Sequence, residues 1–203
     1  MSKWYRYSTY KRFLSYSYPY LTICSPVNIT QIVLYAQTNH ISIYGMVTWA
    51  VMKAVNSIDA FRLRIQGDKL ALYNSVGVSF SALKPDNSYC YTSIVEFDEM
   101  LPFLNEFQKA KKVAESDLII NYEDRDDVIY ITCVPMARIT SVVNPMRLDI
   151  QDCIPRICWG KYEAQGDQFL IDVSVQVHHS LADGLHIGAL FQNLHEISEE
   201  IVK

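Results

Sequence analysis

The sequence has few of the features that mark secreted, membrane-spanning or nucleic-acid-binding proteins. Its 203 residues carry a net charge of −4, and basic residues cluster only at Lys109, Lys111 and Lys112, so we expect no nucleic-acid partner. No apolar run is long enough to span a membrane. The polar and aromatic residues 1–6 lack the apolar core of a signal peptide. We therefore expect a cytoplasmic protein that does not associate with membranes.

Cysteine is present but unpatterned. The five cysteines are scattered singly, with no C-x-x-C pair among them. An odd and unpatterned set, with no signal peptide, indicates reduced thiols. The absence of paired cysteines also argues against a structural zinc site, and we expect no bound metal.

The composition is that of an ordinary globular protein, with half of the residues hydrophobic and one fifth charged. No repeat, low-complexity segment or linker divides the chain, so we predict one domain, residues 1–203. Hydrophobic periodicity predicts helices and strands in mixed order, without strict βαβ alternation. This order favours an α/β (α+β) two-layer sandwich, a mixed β-sheet with helices packed on one side. The predicted helices are 32–39, 46–58, 98–115 and 184–200; the predicted strands are 61–65, 70–73, 76–80, 89–95, 128–134, 139–143, 155–162 and 169–177; residues 4–27 are predicted to be turn-rich.

The stretch with the clearest chemical meaning is 176–184, Q-V-H-H-S-L-A-D-G. It places a histidine pair at the end of a predicted strand, and Asp183 at the start of the last predicted helix. Histidine exchanges its proton near neutral pH and is the usual general base. A carboxylate is well placed at a helix start. The alternative from these residues alone is a strand-to-helix turn that contains a half-buried histidine.

Together with other motifs in the same order, this stretch resembles the type A chloramphenicol acetyltransferases, trimeric CoA-dependent enzymes with an H-H-x-x-x-D-G signature. Residues 61–76 resemble the family's F-R-M…L-V-I-W-D-S-V hairpin, and residues 160–167 resemble its G-K-Y-x-x-x-G-D turn. Tyr10-Lys11-Arg12 resembles the W-x-R near the family's start. The resemblance runs from about residue 10 to the C-terminus.

The resemblance implies roles for particular residues. His179 matches the general base, which takes the proton from an acceptor hydroxyl as that oxygen attacks the thioester of acetyl-CoA. Asp183 matches an aspartate that pairs with an arginine, here Arg12, and orients the loop. Thr132 stands in the place of a serine that hydrogen-bonds the oxyanion, a donor that can lower a barrier by roughly 3 kcal/mol. The resemblance also implies acetyl-CoA as co-substrate and a homotrimer with sites between subunits.

The acceptor pocket departs from the family pattern. Cys158 replaces a threonine that helps to position a water, and a thiol is a poorer donor. Asn144 replaces an apolar contact to chloramphenicol, and Arg156 replaces an isoleucine, although Arg156 could instead be held outward or paired with an acid. Tyr18 is a candidate for one wall of the pocket. We therefore expect transfer of an acetyl group to chloramphenicol or to a related small hydroxylated molecule.

Two other functions are open at this point. A catalytically weak or inactive trimeric relative would bind a small molecule without turnover, as the changes at Cys158, Asn144 and Arg156 would allow. A metal site built from His178, His179 and Asp183 is less favoured, because neighbouring strand residues point to opposite faces of a sheet. For His178 we expect a packing role.

Overall fold

The computed structural model describes residues 4–95, 99–116, 125–148 and 151–201, and these contain six helices and nine strands. The helices are α1 (Tyr7–Leu14), α2 (Thr30–Thr38), α3 (Ile43–Asn56), α4 (Asp59–Arg62), α5 (Met100–Ser116) and α6 (Gly184–Glu200). The strands are β1 (Tyr20–Asn28), β2 (Leu63–Gln66), β3 (Lys69–Leu72), β4 (Gly77–Leu83), β5 (Tyr89–Ile94), β6 (Val128–Val134), β7 (Arg156–Gly160), β8 (Glu163–Gln165) and β9 (Gln168–His178).

One mixed sheet organises the chain. Its strand order is β1-β9-β7-β6-β4-β5, and the short strand β8 pairs with the start of β9. Strands β4, β6 and β7 are parallel, whereas β9 runs antiparallel to β7 and to β1. The hairpin of β2 and β3 forms a separate two-stranded sheet. Its turn and the β8–β9 turn are closed by Gly67 and Gly166, which have φ values of 58° and 60°, a region that favours glycine.

The two faces of the sheet differ in chemistry. Residues alternate along each strand, and Val173, Val175 and Val177 of β9 turn into a core formed with α2, α3, α5 and α6. The opposite face carries polar side chains, including Ser174 and Gln176 on the same strand. The predicted architecture, a mixed sheet with helices on one side, is confirmed.

The structure corrects the sequence predictions at two places. Residues 139–143 form no strand; they belong to a loop that crosses the polar face. Arg138 in this loop donates to Asp172 over 2.6 Å, and the Asn144 backbone N–H donates to the Gln176 side chain over 2.9 Å. Because these contacts are made by side chains of β9, the loop backbone lies outside the ladder of strand hydrogen bonds. Residues 4–27, predicted to be turn-rich, contain α1 and most of β1.

Most other predicted elements are found within a few residues of their expected bounds. The predicted helix 184–200 and strand 128–134 coincide with α6 and β6, while the first part of the predicted strand 61–65 is helical in α4. The predicted helix 98–115 corresponds to α5, and residue 98 lies outside the described residues.

Candidate active site

His179 is the first residue after β9, and its ring is held on two sides. Its Nδ1 atom lies 3.1 Å from the backbone oxygen of Ala182. A carbonyl oxygen can only accept, so this contact places a proton on Nδ1 and leaves the lone pair on Nε2. The ring stacks on Phe13 of α1, with centroids 4.0 Å apart. Nε2 has no hydrogen-bond partner among the described residues, so the atom that a base would use is available.

The turn that carries His179 is closed by Asp183, the N-cap of α6. The Asp183 carboxylate accepts from the Leu185 backbone N–H over 3.0 Å and lies 2.8 Å from His186 Nδ1. The same carboxylate pairs with Arg6, whose side chain is only 6% exposed. Arg6 also donates to the backbone oxygen of His179 over 3.3 Å. One buried guanidinium therefore connects the two ends of the turn.

The predicted pairing of Asp183 with Arg12 is wrong, since the structure pairs Asp183 with Arg6. Arg12 is exposed on α1, where its Nε donates to Tyr16 over 3.4 Å. It lies two residues after the buried Tyr10, and two residues correspond to about 200° around a helix, so the two side chains point in opposite directions. The sequence did contain the correct signal, because Trp4, Tyr5 and Arg6 spell W-x-R literally.

Electrostatics at Asp183 favour the charged form. Partial burial raises the pKa of the carboxyl group, but hydrogen bonds from Arg6 and His186 outweigh that effect and lower the pKa to about 2. The group is thus ionised at neutral pH, which suits a carboxylate that orients a loop and takes up no proton in a reaction.

His178 is packed, as we expected. It is 2% exposed, and its Nδ1 accepts from the Ser180 backbone N–H over 3.3 Å. Its ring and that of Tyr20 pack edge to face. Burial lowers the pKa of His178 to about 4, so this histidine is neutral at pH 7. The described residues hold no cluster of three or more His, Cys, Asp or Glu suited to a metal ion.

Thr132 lies in a cleft on the polar face of the sheet. The cleft has a volume of about 1050 Å³ and follows β4, β5 and β6. The Thr132 hydroxyl lies 3.1 Å from that of Ser81 on β4. Asn144 and Arg156 line the same cleft, so the structure brings together three of the residues that the sequence singled out.

Arg156 is held by an acid, one of the two alternatives that the sequence left open. Its Nη2 atom lies 2.6 Å from Oδ2 of Asp152, and both side chains are nearly buried, at 13% and 8% exposure. The guanidinium also lies over the ring of Tyr130, 5.1 Å from its centroid. Asn144 donates from its backbone and side chain to Gln176, each over 2.9 Å. This part of the cleft wall is therefore polar, and its side chains are held by hydrogen bonds to one another.

Two further candidates lie outside the lining of this cleft. Cys158 pairs with Thr132 on the neighbouring strand, but it is 1% exposed, and burial raises the pKa of its thiol to about 11. Tyr18 is 47% exposed and lies on the His179 side of the molecule, with its ring against Tyr20.

Within one chain, His179 and Thr132 do not meet. Thr132 of β6 lies opposite Cys158 of β7, and Cys158 lies opposite Ser174 of β9. Thr132 is therefore two strands away from Ser174, and Ser174 comes five residues before His179 in the chain. With strands about 4.8 Å apart and about 3.3 Å per residue along them, the two Cα atoms are roughly 20 Å apart. The candidate site therefore consists of two halves, one around His179 and one around Thr132.

Comparison with known proteins identifies the relatives of this chain. The family model described as chloramphenicol acetyltransferase matches residues 1–195. Chloramphenicol acetyltransferase 3 of Escherichia coli is 23% identical over 188 residues, which cover 90% of this chain and 87% of the relative. The enzyme of Clostridium perfringens is 24% identical over 179 residues, covering 85% and 80%.

Solved structures show the same fold. A chloramphenicol acetyltransferase structure superposes with a TM-score of 0.90 at 19% identity, covering 97% of this chain and 96% of that one. The dihydrolipoamide acetyltransferase of Azotobacter vinelandii superposes with a TM-score of 0.71 at 12% identity, covering 96% and 86%. No helix in the described ranges has both the length and the apolarity to cross a membrane.

Proposed function

The chain belongs to the chloramphenicol acetyltransferase family and is an acyltransferase, and from this premise we propose that it acetylates a hydroxyl group with acetyl-CoA. The acceptor is chloramphenicol or a related small molecule, and His179 is the general base. The observation that carries the proposal is the fixed ring of His179, with Nδ1 bound to the Ala182 carbonyl and Nε2 available. The protein acts as a single domain in the cytoplasm and needs no metal.

In this mechanism, His179 carries one proton from the acceptor hydroxyl to the sulfur of CoA. Nε2 of His179 takes the proton of the acceptor hydroxyl, and the oxygen attacks the thioester carbonyl of acetyl-CoA. The tetrahedral oxyanion is stabilised by the hydroxyl of Thr132. When the intermediate collapses, the acetyl group stays on the acceptor oxygen and the CoA thiolate leaves. The thiolate then takes this proton from His179, so CoA leaves as the thiol and the base returns to its starting state.

We further propose that the two halves of the site meet between subunits of a homotrimer. The separation of roughly 20 Å between His179 and Thr132 is too large for both to act on one group in one chain. Large apolar side chains are exposed at both halves: Tyr16 and Tyr18 near His179, and Met136 and Val143 in the loop beside the cleft. Contact between two unlike surfaces is heterologous and can close into a ring, and it would cover both sets of side chains.

A mixing experiment tests this arrangement. His179→Ala and Thr132→Ala each inactivate one half, so neither variant alone should release CoA at the wild-type rate. When the two variants are co-expressed in equal amounts, about one quarter of the sites combine an intact His179 with an intact Thr132. We expect activity to return toward that fraction. Mixed oligomers that are no more active than the single variants would refute a shared site, and sedimentation analysis reports the subunit number.

The second candidate is a weak or inactive relative that binds a small molecule without turnover. It is favoured by the buried thiol of Cys158 and by the Arg156–Asp152 ion pair in the acceptor cleft. Steady-state CoA release with chloramphenicol and other hydroxylated acceptors separates the two functions. We expect turnover that His179→Ala reduces by about 10²- to 10⁴-fold, the usual contribution of a general base. Equal rates for the wild type and for His179→Ala would contradict the enzymatic mechanism.

A further inference from the structure

The floor of the cleft that contains Thr132 is rich in hydroxyl groups. Strand register aligns its outward-facing residues into two rows across β5, β4 and β6. The rows are Ser93, Ser79 and Tyr130, and Tyr91, Ser81 and Thr132. A row of hydroxyls offers both donors and acceptors at regular spacing, so this surface is suited to hydrogen bonding along the whole length of a bound molecule.

The part of the cleft wall next to Tyr130 is also polar. Arg156 and Asp152 form a nearly buried ion pair beside Tyr130. Ion pairs removed from water depend on the hydrogen bonds that complete them. An apolar ligand group placed against this ion pair would exclude solvent from it and return no hydrogen bond. A ligand hydroxyl could donate or accept a hydrogen bond there.

The charges that line the cleft are balanced. None of the described lining residues is an Asp or Glu, and three lining residues are cationic. Each of the three lies beside an acidic side chain, in the pairs Arg156–Asp152, Arg125–Asp127 and Lys111–Glu115. An anionic ligand would therefore meet only cations that are already paired with a carboxylate, so this surface favours an uncharged polar molecule.

We propose that the acceptor is a neutral polyhydroxylated molecule of the saccharide type. This inference rests on the proposed acetyl transfer and specifies its acceptor. The hydroxyl rows bind several hydroxyl groups of the sugar, and the tyrosine rings of the floor offer apolar faces for its C–H groups. Thr132, in the second row, lies where one sugar hydroxyl is presented for acetylation.

The test compares acceptors that share an aryl group. In a CoA-release assay with acetyl-CoA, 4-nitrophenyl β-D-glucopyranoside is compared with 4-nitrobenzyl alcohol and with chloramphenicol. The glucoside and the benzyl alcohol both present a primary hydroxyl, but only the glucoside carries further hydroxyls. Each partner left without a hydrogen bond lowers binding by about tenfold. We expect kcat/KM for the glucoside to exceed that for the benzyl alcohol by at least about tenfold.

A serine pair supplies the matched variants. Ser79 lines the cleft, whereas Ser88 lies in the turn between β4 and β5, where its hydroxyl bonds Asp86. Ser79→Ala should raise KM for the glucoside about tenfold, and by less for 4-nitrobenzyl alcohol. Ser88→Ala should change neither value. Equal effects of Ser79→Ala on the two acceptors would overturn the inference.

A binding measurement separates this inference from the proposed reaction. Saturation-transfer NMR detects the glucoside on the wild-type protein without any turnover. If the glucoside binds saturably, and more weakly to Ser79→Ala, but no CoA is released, the cleft is still a saccharide site and only the proposed reaction fails. If chloramphenicol or the benzyl alcohol is the better acceptor, or if the glucoside neither binds nor reacts, the inference is wrong.

Discussion

Replacing Arg6 with alanine tests whether this residue holds the turn that carries His179. The side chain is 6% exposed and bonds both the Asp183 carboxylate and the backbone oxygen of His179. The charged guanidinium is the donor in both hydrogen bonds, and a hydrogen bond that involves a charged group contributes about 1.5–3 kcal/mol. We therefore expect Arg6→Ala to lower the free energy of unfolding by about 3 kcal/mol. In a domain of this size, that change lowers Tm by about 6–12 °C.

Arg12→Ala is the matched control, since it removes the same side chain from the exposed face of α1. Its hydrogen bond to Tyr16 is long, at 3.4 Å, and exposed substitutions of this kind change stability by less than about 0.5 kcal/mol. We expect Arg12→Ala to melt within about 2 °C of the wild type. Loosening the turn should also displace His179, so Arg6→Ala should lower kcat by at least about tenfold, while Arg6→Lys recovers part of the loss.

Melting curves and CoA-release rates measure both effects. Protein concentration must be equal in all samples, because the Tm of an oligomer depends on it. If Arg12→Ala is the more damaging variant, or if Arg6→Ala matches the wild type in both assays, the assignment of Arg6 is refuted. A variant that loses stability but keeps kcat would separate the structural role of Arg6 from its role in positioning His179.

The pH dependence of the Arg6→Ala effect follows from Asp183. Its pKa in the folded protein is about 2, below the ordinary value of 3.8, so its contribution to stability is complete above pH 4 and is lost as the pH falls toward 2. Removing Arg6 raises the pKa of Asp183 toward its ordinary value. The difference in unfolding free energy between the wild type and Arg6→Ala should therefore shrink between pH 4 and pH 2, and a constant difference would contradict the ion pair.

Three further predictions concern other residues. Thr132→Val should lower kcat by about 10²–10³-fold, as loss of an oxyanion donor does, and Thr132→Ser should stay near the wild-type rate; equal rates for both would remove Thr132 from the reaction. Asp152→Asn should lower the unfolding free energy measured in urea by about 3–5 kcal/mol, since it leaves Arg156 buried without its charge partner. The double variant Asp152→Leu with Arg156→Met should recover most of the lost unfolding free energy. Burial lowers the pKa of His178 from 6.5 to about 4, so the unfolded chain binds a proton at a higher pH than the folded protein does. The unfolding free energy of the wild type should therefore fall by about 3 kcal/mol as the pH is lowered from 6.5 to 4. His178→Asn should lack this loss, and identical pH profiles for the two proteins would contradict the prediction.

The sequence predicted best those elements that bury one full face. Hydrophobic residues recur with a helical period in α6 and at every second position in β6, because each element packs against the core on one side only. Sequence periodicity detects this kind of one-sided burial. β1 was missed because it lies at the edge of the sheet, where eight of its nine residues are partly buried or exposed and no alternation appears. It also contains Pro26, which an edge strand tolerates but which suggests a turn when read from the sequence.

The loop over the polar face shows a different limit. Its β-branched residues favour a strand by propensity: Ile139, Thr140, Val142 and Val143. The residues on either side hold this segment as a loop, because Arg138 is bound to Asp172 and Asn144 to Gln176. These contacts join residues 34 and 32 positions apart, so no local pattern could have indicated them.

The candidate site illustrates what alternation can and cannot establish. Alternation relates residues of a single strand, so it could not indicate that Thr132 and Arg156, which lie on adjacent strands, share one face, as the strand register shows. It could not indicate that β9 runs antiparallel to β7, which carries His179 toward the opposite end of the sheet from Val134, the end of β6. Two residues with complementary chemistry that a fold holds roughly 20 Å apart imply either that one of them is idle or that a second chain completes the site. The activity of mixed His179→Ala and Thr132→Ala oligomers decides between these two, because only the second allows two inactive chains to form an active site together.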